Sequence, residues 1–489
     1  MLKKIRTIVA LIVFALITLL FLDFTGSIHT YFGWLAKIQF LPAVLALNVV
    51  VIVALVIATL LFGRIYCSVI CPLGIFQDII SWFSGKHTKN RFQYRKPHKW
   101  LRYIVLGVFV IFLILGLNVI ASFIAPYSAY GRIASELFSP LYKWGNNLCA
   151  YFAERAESYA FYSVDVYIKS LPTFIVAALT FVALFIVAWK GGRTYCNTIC
   201  PVGTLLGLLS RFSFLKPVID TEKCNGCGKC ERNCKGSCID SKNHKIDYSR
   251  CVVCMDCLTN CRQGAIRYAH SVKKSTEVEV DKSRRDFLAV SAMLATTVAL
   301  EAQEKINDGG LAIIEDKQKV KRGTPIKPAG ALSLKNFESH CTACQLCVSA
   351  CPNKVLSPST DLENLMQPVV SYEKGYCRPE CTRCSEVCPT GAITKVTKVE
   401  KSSIKIGTAV WVAQNCLPMV DGTSCGNCAR HCPTGAIQMV SQIANDPTSP
   451  KIPVVNEARC IGCGACENLC PARPFSAIYV EGVEKHKRC

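Results

Sequence analysis

Apolar and polar positions divide this chain near residue 216. Ahead of that point, Ile8–Leu22 follows Lys3, Lys4 and Arg6, Phe40–Phe62 and Tyr103–Ala125 each run 23 residues without a charge, and Leu171–Trp189 runs 19. A hydrocarbon core about 30 Å thick needs close to 20 such residues in a helix. The pattern therefore predicts an α-helical membrane bundle of four transmembrane helices. The first reads as an uncleaved anchor, because no small-residue cleavage site follows it and the next apolar stretch comes quickly.

Charge sets the expected orientation. Residues 63–102 carry eight basic side chains and one acid, Asp78, whereas 23–39 carry one basic residue and 126–172 four basic against four acidic. Basic loops stay in the cytoplasm, which puts the N-terminus and 63–102 inside, and the chain leaves the fourth helix on that side. The bundle also contains a repeat. Gly63–Gly74 reads GRIYCSVICPLG and Gly192–Gly203 reads GRTYCNTICPVG, with eight of twelve positions identical. Each copy follows an outside-to-inside helix and supplies a C-x3-C-P pair: Cys67 and Cys71, Cys196 and Cys200. The prolines suit the first position of a helix, and Arg64 and Arg193 suit interfacial anchors. A redox role bordering a quinol site competes with this structural one.

Composition sharpens the second half. The 489 residues are 51 % hydrophobic, carry a formal charge of +22 and include 31 cysteines. The basic excess sits beside apolar segments, so membrane lipid rather than nucleic acid is the expected partner. Disulfide frameworks belong to short secreted chains, whereas here the cysteines recur in one tight pattern. Cys224, Cys227, Cys230 and Cys234 are spaced C-x2-C-x2-C-x3-C. So are Cys251, Cys254, Cys257 and Cys261; Cys341, Cys344, Cys347 and Cys351; and Cys460, Cys463, Cys466 and Cys470. Two variants lie between the last two: Cys377, Cys381, Cys384 and Cys388, and Cys416, Cys425, Cys428 and Cys432.

Three cysteines spaced by three can wrap one cubane, while the fourth reaches a neighbouring cluster. Zinc is the competing reading for an isolated C-x-x-C pair; six tetrads favour six [4Fe-4S] clusters held by these 24 cysteines in α+β bacterial ferredoxin-like domains. Cys238 competes with Cys234 as a ligand. Cys149 and Cys489 read as incidental thiols. No C-x-x-C-H, no histidine in an apolar stretch, no Walker A loop and no dinucleotide fingerprint occur, so no haem, flavin or nucleotide is expected.

Ser283-Arg284-Arg285-Asp286-Phe287-Leu288 resembles a twin-arginine export signal, followed by an apolar run to Leu300. That route moves folded proteins, as a cluster-bearing domain requires. The expected domains are a membrane domain (1–216), a cytoplasmic two-cluster ferredoxin (217–275), a signal or anchor helix (276–303), a linker (304–332) and an exported four-cluster domain (333–489).

With these motifs in hand, residues 1–270 resemble the NapH-type membrane quinol-dehydrogenase ferredoxin subunit of periplasmic nitrate reduction. Residues 283–489 resemble its NapG/MauM-type exported partner, as though two proteins were fused. Motif one departs from the pattern, with Lys235 where proline is usual. The resemblance implies a bacterial inner-membrane protein that oxidises (mena)quinol from the quinone pool and passes electrons to a periplasmic reductase or its electron-carrier subunit. It also implies nested pairing of the outer motifs: Cys341, Cys344 and Cys347 with Cys470; Cys460, Cys463 and Cys466 with Cys351; Cys377, Cys381 and Cys384 with Cys432; Cys416, Cys425 and Cys428 with Cys388. Sequential pairing is the alternative. Other readings of a similar membrane module are a copper reductase or assembly factor and a redox-sensing regulator.

Overall fold

The computed structural model describes residues 2–87, 92–158, 160–270, 307–308, 312–313, 317–443, 446 and 449–489. The twin-arginine segment and its apolar run lie outside the described residues.

The bundle begins with α1 (Leu2–Leu22), whose regular helix follows from an unbroken apolar run without glycine or proline. Two of the expected spans are not single helices. Phe40–Phe62 divides into α2 (Phe40–Leu45) and α3 (Val49–Phe62). Between them Leu47 adopts a φ of 51°, and the Asn48 side chain caps α3 by accepting from the Val51 amide at 3.3 Å. Asparagine competes for backbone donors and so starts helices rather than continuing them. Repeat one supplies α4 (Ile65–Val69) and α5 (Pro72–His87).

Tyr103–Ala125 likewise divides, into α6 (Lys99–Ile114) and α7 (Asn118–Ile124), with Gly116 at a φ of 74° between them. There follow α8 (Pro126–Ile133), α9 (Ser139–Arg155) and α10 (Leu171–Gly191). Repeat two gives α11 (Thr194–Thr198) and α12 (Pro201–Leu209). Among the described residues, only α1 and α10 are long and apolar enough to cross a membrane. Of the four expected spans, two are single helices of that length; a capping asparagine divides one of the others and a left-handed glycine the last.

Helices α1, α5, α8 and α10 pack together. Their outer faces leave large apolar side chains such as Ile8, Ile12, Leu179 and Val182 exposed.

The cysteine-rich units are built from two-stranded antiparallel sheets. β1 (Leu215–Ile219) pairs with β2 (Ile266–His270) around the first two motifs. β3 (Leu356–Pro358) and β4 (Pro368–Val370) follow the third. β5 (Ile404–Trp411), β6 (Ile437–Ser441), β7 (Lys451–Val455) and β8 (Ile478–Arg488) pair as β5–β8 and β6–β7.

These units dock at opposite ends of α1. At its start, Lys3 Nζ lies 2.8 Å from Asp256 of the first unit. Beyond its end, Arg383 of the second unit donates to the carbonyls of Gly26 at 3.1 Å and Thr25 at 3.2 Å. The 21 residues of α1 separate these contacts by about 30 Å at 1.5 Å per residue. Around the second contact, Asn118 Nδ2 donates to the Ser339 carbonyl and Ser135 meets Ser349 at 3.0 Å.

Candidate cluster cages, a buried four-thiol site and an adjoining cavity

The four regular motifs share one loop geometry. The residues just before and just after the second cysteine are left-handed in every copy: Gly226 and Gly228, Val253 and Met255, Ala343 and Gln345, Gly462 and Gly464. For a β-branched valine this conformation costs on the order of 1–3 kcal/mol and persists only where the surroundings impose it. Alternating handedness turns successive N–H groups inward, forming a concavity for an anion. Amides also reach the cysteine sulfurs: Ile393 N to Cys388 Sγ at 3.4 Å, Ala436 N to Cys432 Sγ at 3.3 Å, Ala409 N to Cys460 Sγ at 3.4 Å and Ala477 N to Cys470 Sγ at 3.4 Å. Thiolates bound to an iron–sulfur core need such donors, so the residues present fit the group.

The pairing is sequential, which corrects the nested expectation. Cys341, Cys344 and Cys347 line one small cavity with Cys388. Cys416, Cys425 and Cys428 line another with Cys470, and Cys460, Cys463 and Cys466 a third with Cys432. Cys384 interacts with Cys377, Cys381 and Cys351. Each fourth cysteine crosses to the neighbouring motif in sequence, because a short helix such as Leu346–Ala350 ends on it and packs against the next motif's helix, Arg383–Val387.

In the first unit, Cys251, Cys254 and Cys257 share a cavity with both Cys234 and Cys238. Those two sulfurs are 3.5 Å apart, and Cys238 stands where the two variant motifs have Ala392 and Ala436. Burial raises the Cys257 thiol well above its ordinary range, as it does Cys347. Cys224, Cys227 and Cys230 lie together, and Cys261 belongs to the same packed cluster. Cys149 and Cys489 are exposed.

The two repeats meet in the bundle. Cys67, Cys71, Cys196 and Cys200 are all buried, at 4–5 % exposure, and they interact electrostatically with one another. Pro72 and Pro201 open α5 and α12 as expected. The arginines do not project outward as anchors would. Both are fully buried and cross over: Arg64 donates to the Cys196 carbonyl at 3.1 Å and Arg193 to the Cys67 carbonyl at 2.7 Å. Gly74 and Gly203 make room for this exchange, since a Cβ there would lie 2.4 Å and 2.8 Å from the crossing guanidinium. This accounts for the glycine, arginine and cysteine positions of the repeat together. Sequence reasoning missed it, although the matching arginines were its signal.

Beside this site a cavity of about 910 Å³ opens between α1, α5 and the first cysteine-rich unit. Its wall is apolar toward Ala10, Leu11, Trp82 and Phe83, and charged toward Arg6, Asp78, Lys235 and Asp256. Arg193 holds Asp78 through two contacts, at 2.9 Å and 2.8 Å, and Arg6 adds one at 3.2 Å. Lys235 reaches Asp78 at 3.6 Å and Asp256 at 3.2 Å. Burial alone would raise the Asp78 carboxyl; Arg193 and Lys235 outweigh it and hold the group well below the usual carboxylate range. The lysine in the usual proline position therefore ties the first unit to the repeat and lines the cavity.

Comparison with known proteins accords with this geometry. The family described as a 4Fe-4S dicluster domain matches residues 340–392 and 423–473, and the one described as a 4Fe-4S binding domain matches 44–91 and 173–218. The chain is 32 % identical over 167 residues to the methylamine utilization ferredoxin-type protein MauM of Methylophilus methylotrophus, covering 33 % of this chain and 72 % of that protein. It is 28 % identical over 214 residues to the ferredoxin-type protein NapG of Haemophilus influenzae, covering 41 % and 72 %. It is 27 % identical over 229 residues to YccM of Escherichia coli K12, whose name refers to electron transport; the match covers 45 % of this chain and 55 % of that protein, about half its length. No solved structure matches.

Proposed function

Because the chain belongs to the MauM family of ferredoxin-type iron–sulfur proteins, we propose that it is a membrane conduit that oxidises quinol, with menaquinol the expected donor, and delivers electrons to a periplasmic protein acceptor. The proposal includes a fused NapH-like half and six [4Fe-4S] clusters on the 24 tetrad cysteines. It places the protein in the inner membrane, with 217–270 in the cytoplasm and the four-cluster unit outside.

The observation that carries the quinol reading is the 910 Å³ cavity. Its volume falls in the range of ligand pockets, and such pockets pair apolar walls with a few placed polar groups. Apolar residues of α1 and α5 face a prenylated ring, and a charged end lies against the unit holding Cys254. Oxidising quinol releases two electrons and two protons. Clusters, when bound, take up electrons singly. Arg6, Lys3 and Lys235 outnumber the carboxylates around the cavity and stabilise the deprotonated quinol. Asp78 stays ionised and orients Arg193 and Lys235. Asp256, held by Lys3 and Lys235, is the second carboxylate at this end, and the two protons pass to solvent on the side where Lys3 is exposed.

The test is photolabelling of the purified full chain with an azido-menaquinone. Attachment within residues 3–11 or 75–86, displaced by excess menaquinone, is expected. Displaceable attachment confined to other helices would overturn this placement, and no displaceable attachment anywhere would overturn the quinol reading.

A further inference from the structure

We infer that Cys67, Cys71, Cys196 and Cys200 jointly ligate one additional iron–sulfur cluster, shared by the two repeats and standing between the inner and outer ferredoxin units. Each C-x3-C-P pair supplies only two thiols, and a cluster of this kind takes four. The fold brings both pairs into one buried site.

Two features fit a thiolate-bound anionic centre better than four neutral thiols. First, donors point at sulfur: Gln77 Nε2 lies 3.3 Å from Cys196 Sγ, the Gly203 amide 3.3 Å from Cys200 Sγ, Arg64 Nη2 3.8 Å from Cys67 Sγ and Arg193 Nη1 3.9 Å from Cys196 Sγ.

Second, Arg64 is fully buried and, among the described residues, has no carboxylate partner; it donates to Asn197 Oδ1 at 2.8 Å and to the carbonyls of Ser249 and Cys196, both at 3.1 Å. A buried charge without a counter-charge is strongly unfavourable, and an oxidised cubane with four thiolates carries about −2.

Position supplies the role. Toward the inner unit, Arg64 interacts with Cys251. Toward the outer unit, Tyr195 interacts electrostatically with Cys200, Cys196 and Cys71 and also with Arg132. Arg132, itself fully buried, interacts electrostatically with Cys344. These side chains mark the direction from the inner cysteines to the first outer motif. The centre gains one electron from the inner side and loses one to the outer side; no bond to substrate forms and no proton is required.

The assay counts clusters, so it does not depend on quinol being the donor. Native mass spectrometry of the full-length, anaerobically reconstituted protein should find seven iron–sulfur units, and a Cys67→Ser/Cys200→Ser double variant should find six, with one fewer reducible signal in electron paramagnetic resonance. Six units in the unmodified protein, or one zinc or copper ion at this site, would overturn the inference. So would an unchanged count in a folded variant.

Discussion

Lys235→Met removes one charge from the seam between the first cysteine-rich unit and the repeats while keeping the side chain's length. The lysine is 16 % exposed and lies 3.2 Å from Asp256 and 3.6 Å from Asp78. At an effective dielectric of about 20 each attraction is roughly 5 kcal/mol before desolvation. Both carboxylates keep other partners, Lys3 for Asp256 and Arg193 with Arg6 for Asp78, and the lost lysine no longer has to be desolvated. The net loss is then that of charge-assisted hydrogen bonds, about 2 kcal/mol. This corresponds to a roughly 30-fold rise in transient opening of the seam. Three amides report it directly, because each bonds across the seam: Arg193 N to Lys235 O at 2.9 Å, Phe92 N to Arg232 O at 3.3 Å and Arg95 N to Ser237 O at 3.4 Å. Hydrogen exchange of the full chain should speed up at these three and stay unchanged in the β1–β2 ladder. A change below about threefold at the seam amides would refute the assignment of Lys235 as the tie.

Other expectations follow from the same contacts. Gly26→Ala places a Cβ 1.9 Å from Arg383 Nη1 at a φ of 82°, so it should cost about 2–4 kcal/mol of outer-unit docking and raise exchange around 23–30 and 380–388. Cys388→Ser should remove the cluster bound by Cys341, Cys344 and Cys347, read as the loss of one signal in a redox titration, whereas nested pairing would require that loss from Cys470→Ser. Burial pushes the His486 imidazole down from 6.5 to about 4. The unfolded chain therefore takes up a proton that the folded one resists, and stability present above pH 6.5 falls as the pH drops toward 4, by at most about 3 kcal/mol. The thermal midpoint of the full chain between pH 7 and 5 should show this, and His486→Leu should flatten it.

The cluster loops were legible because a spacing of three residues dictates local geometry. Their partners were not, since which helix receives the fourth cysteine depends on packing between motifs. Apolar length located α1 and α10 but overlooked Asn48 and Gly116, whose effects are local and do not lower hydropathy enough to register. The repeat was visible as twelve residues, yet the crossing of Arg64 and Arg193 is a tertiary event between segments about 130 residues apart. Lys235 was visible only as a departure from a pattern; its two acidic partners lie on other segments, and one of them, Asp78, is the lone acid in a basic loop.

Under the proposed function, electrons from quinol cross from the inner ferredoxin unit to the outer one. Proteoliposomes holding the full chain and a menaquinol pool, with the C-terminal unit facing outward, should steadily reduce a membrane-impermeant dye added outside, and the rate should fall at least tenfold in the Cys67→Ser/Cys200→Ser variant. No dye reduction by the unmodified protein, while dithionite still reduces its clusters, would contradict the claim.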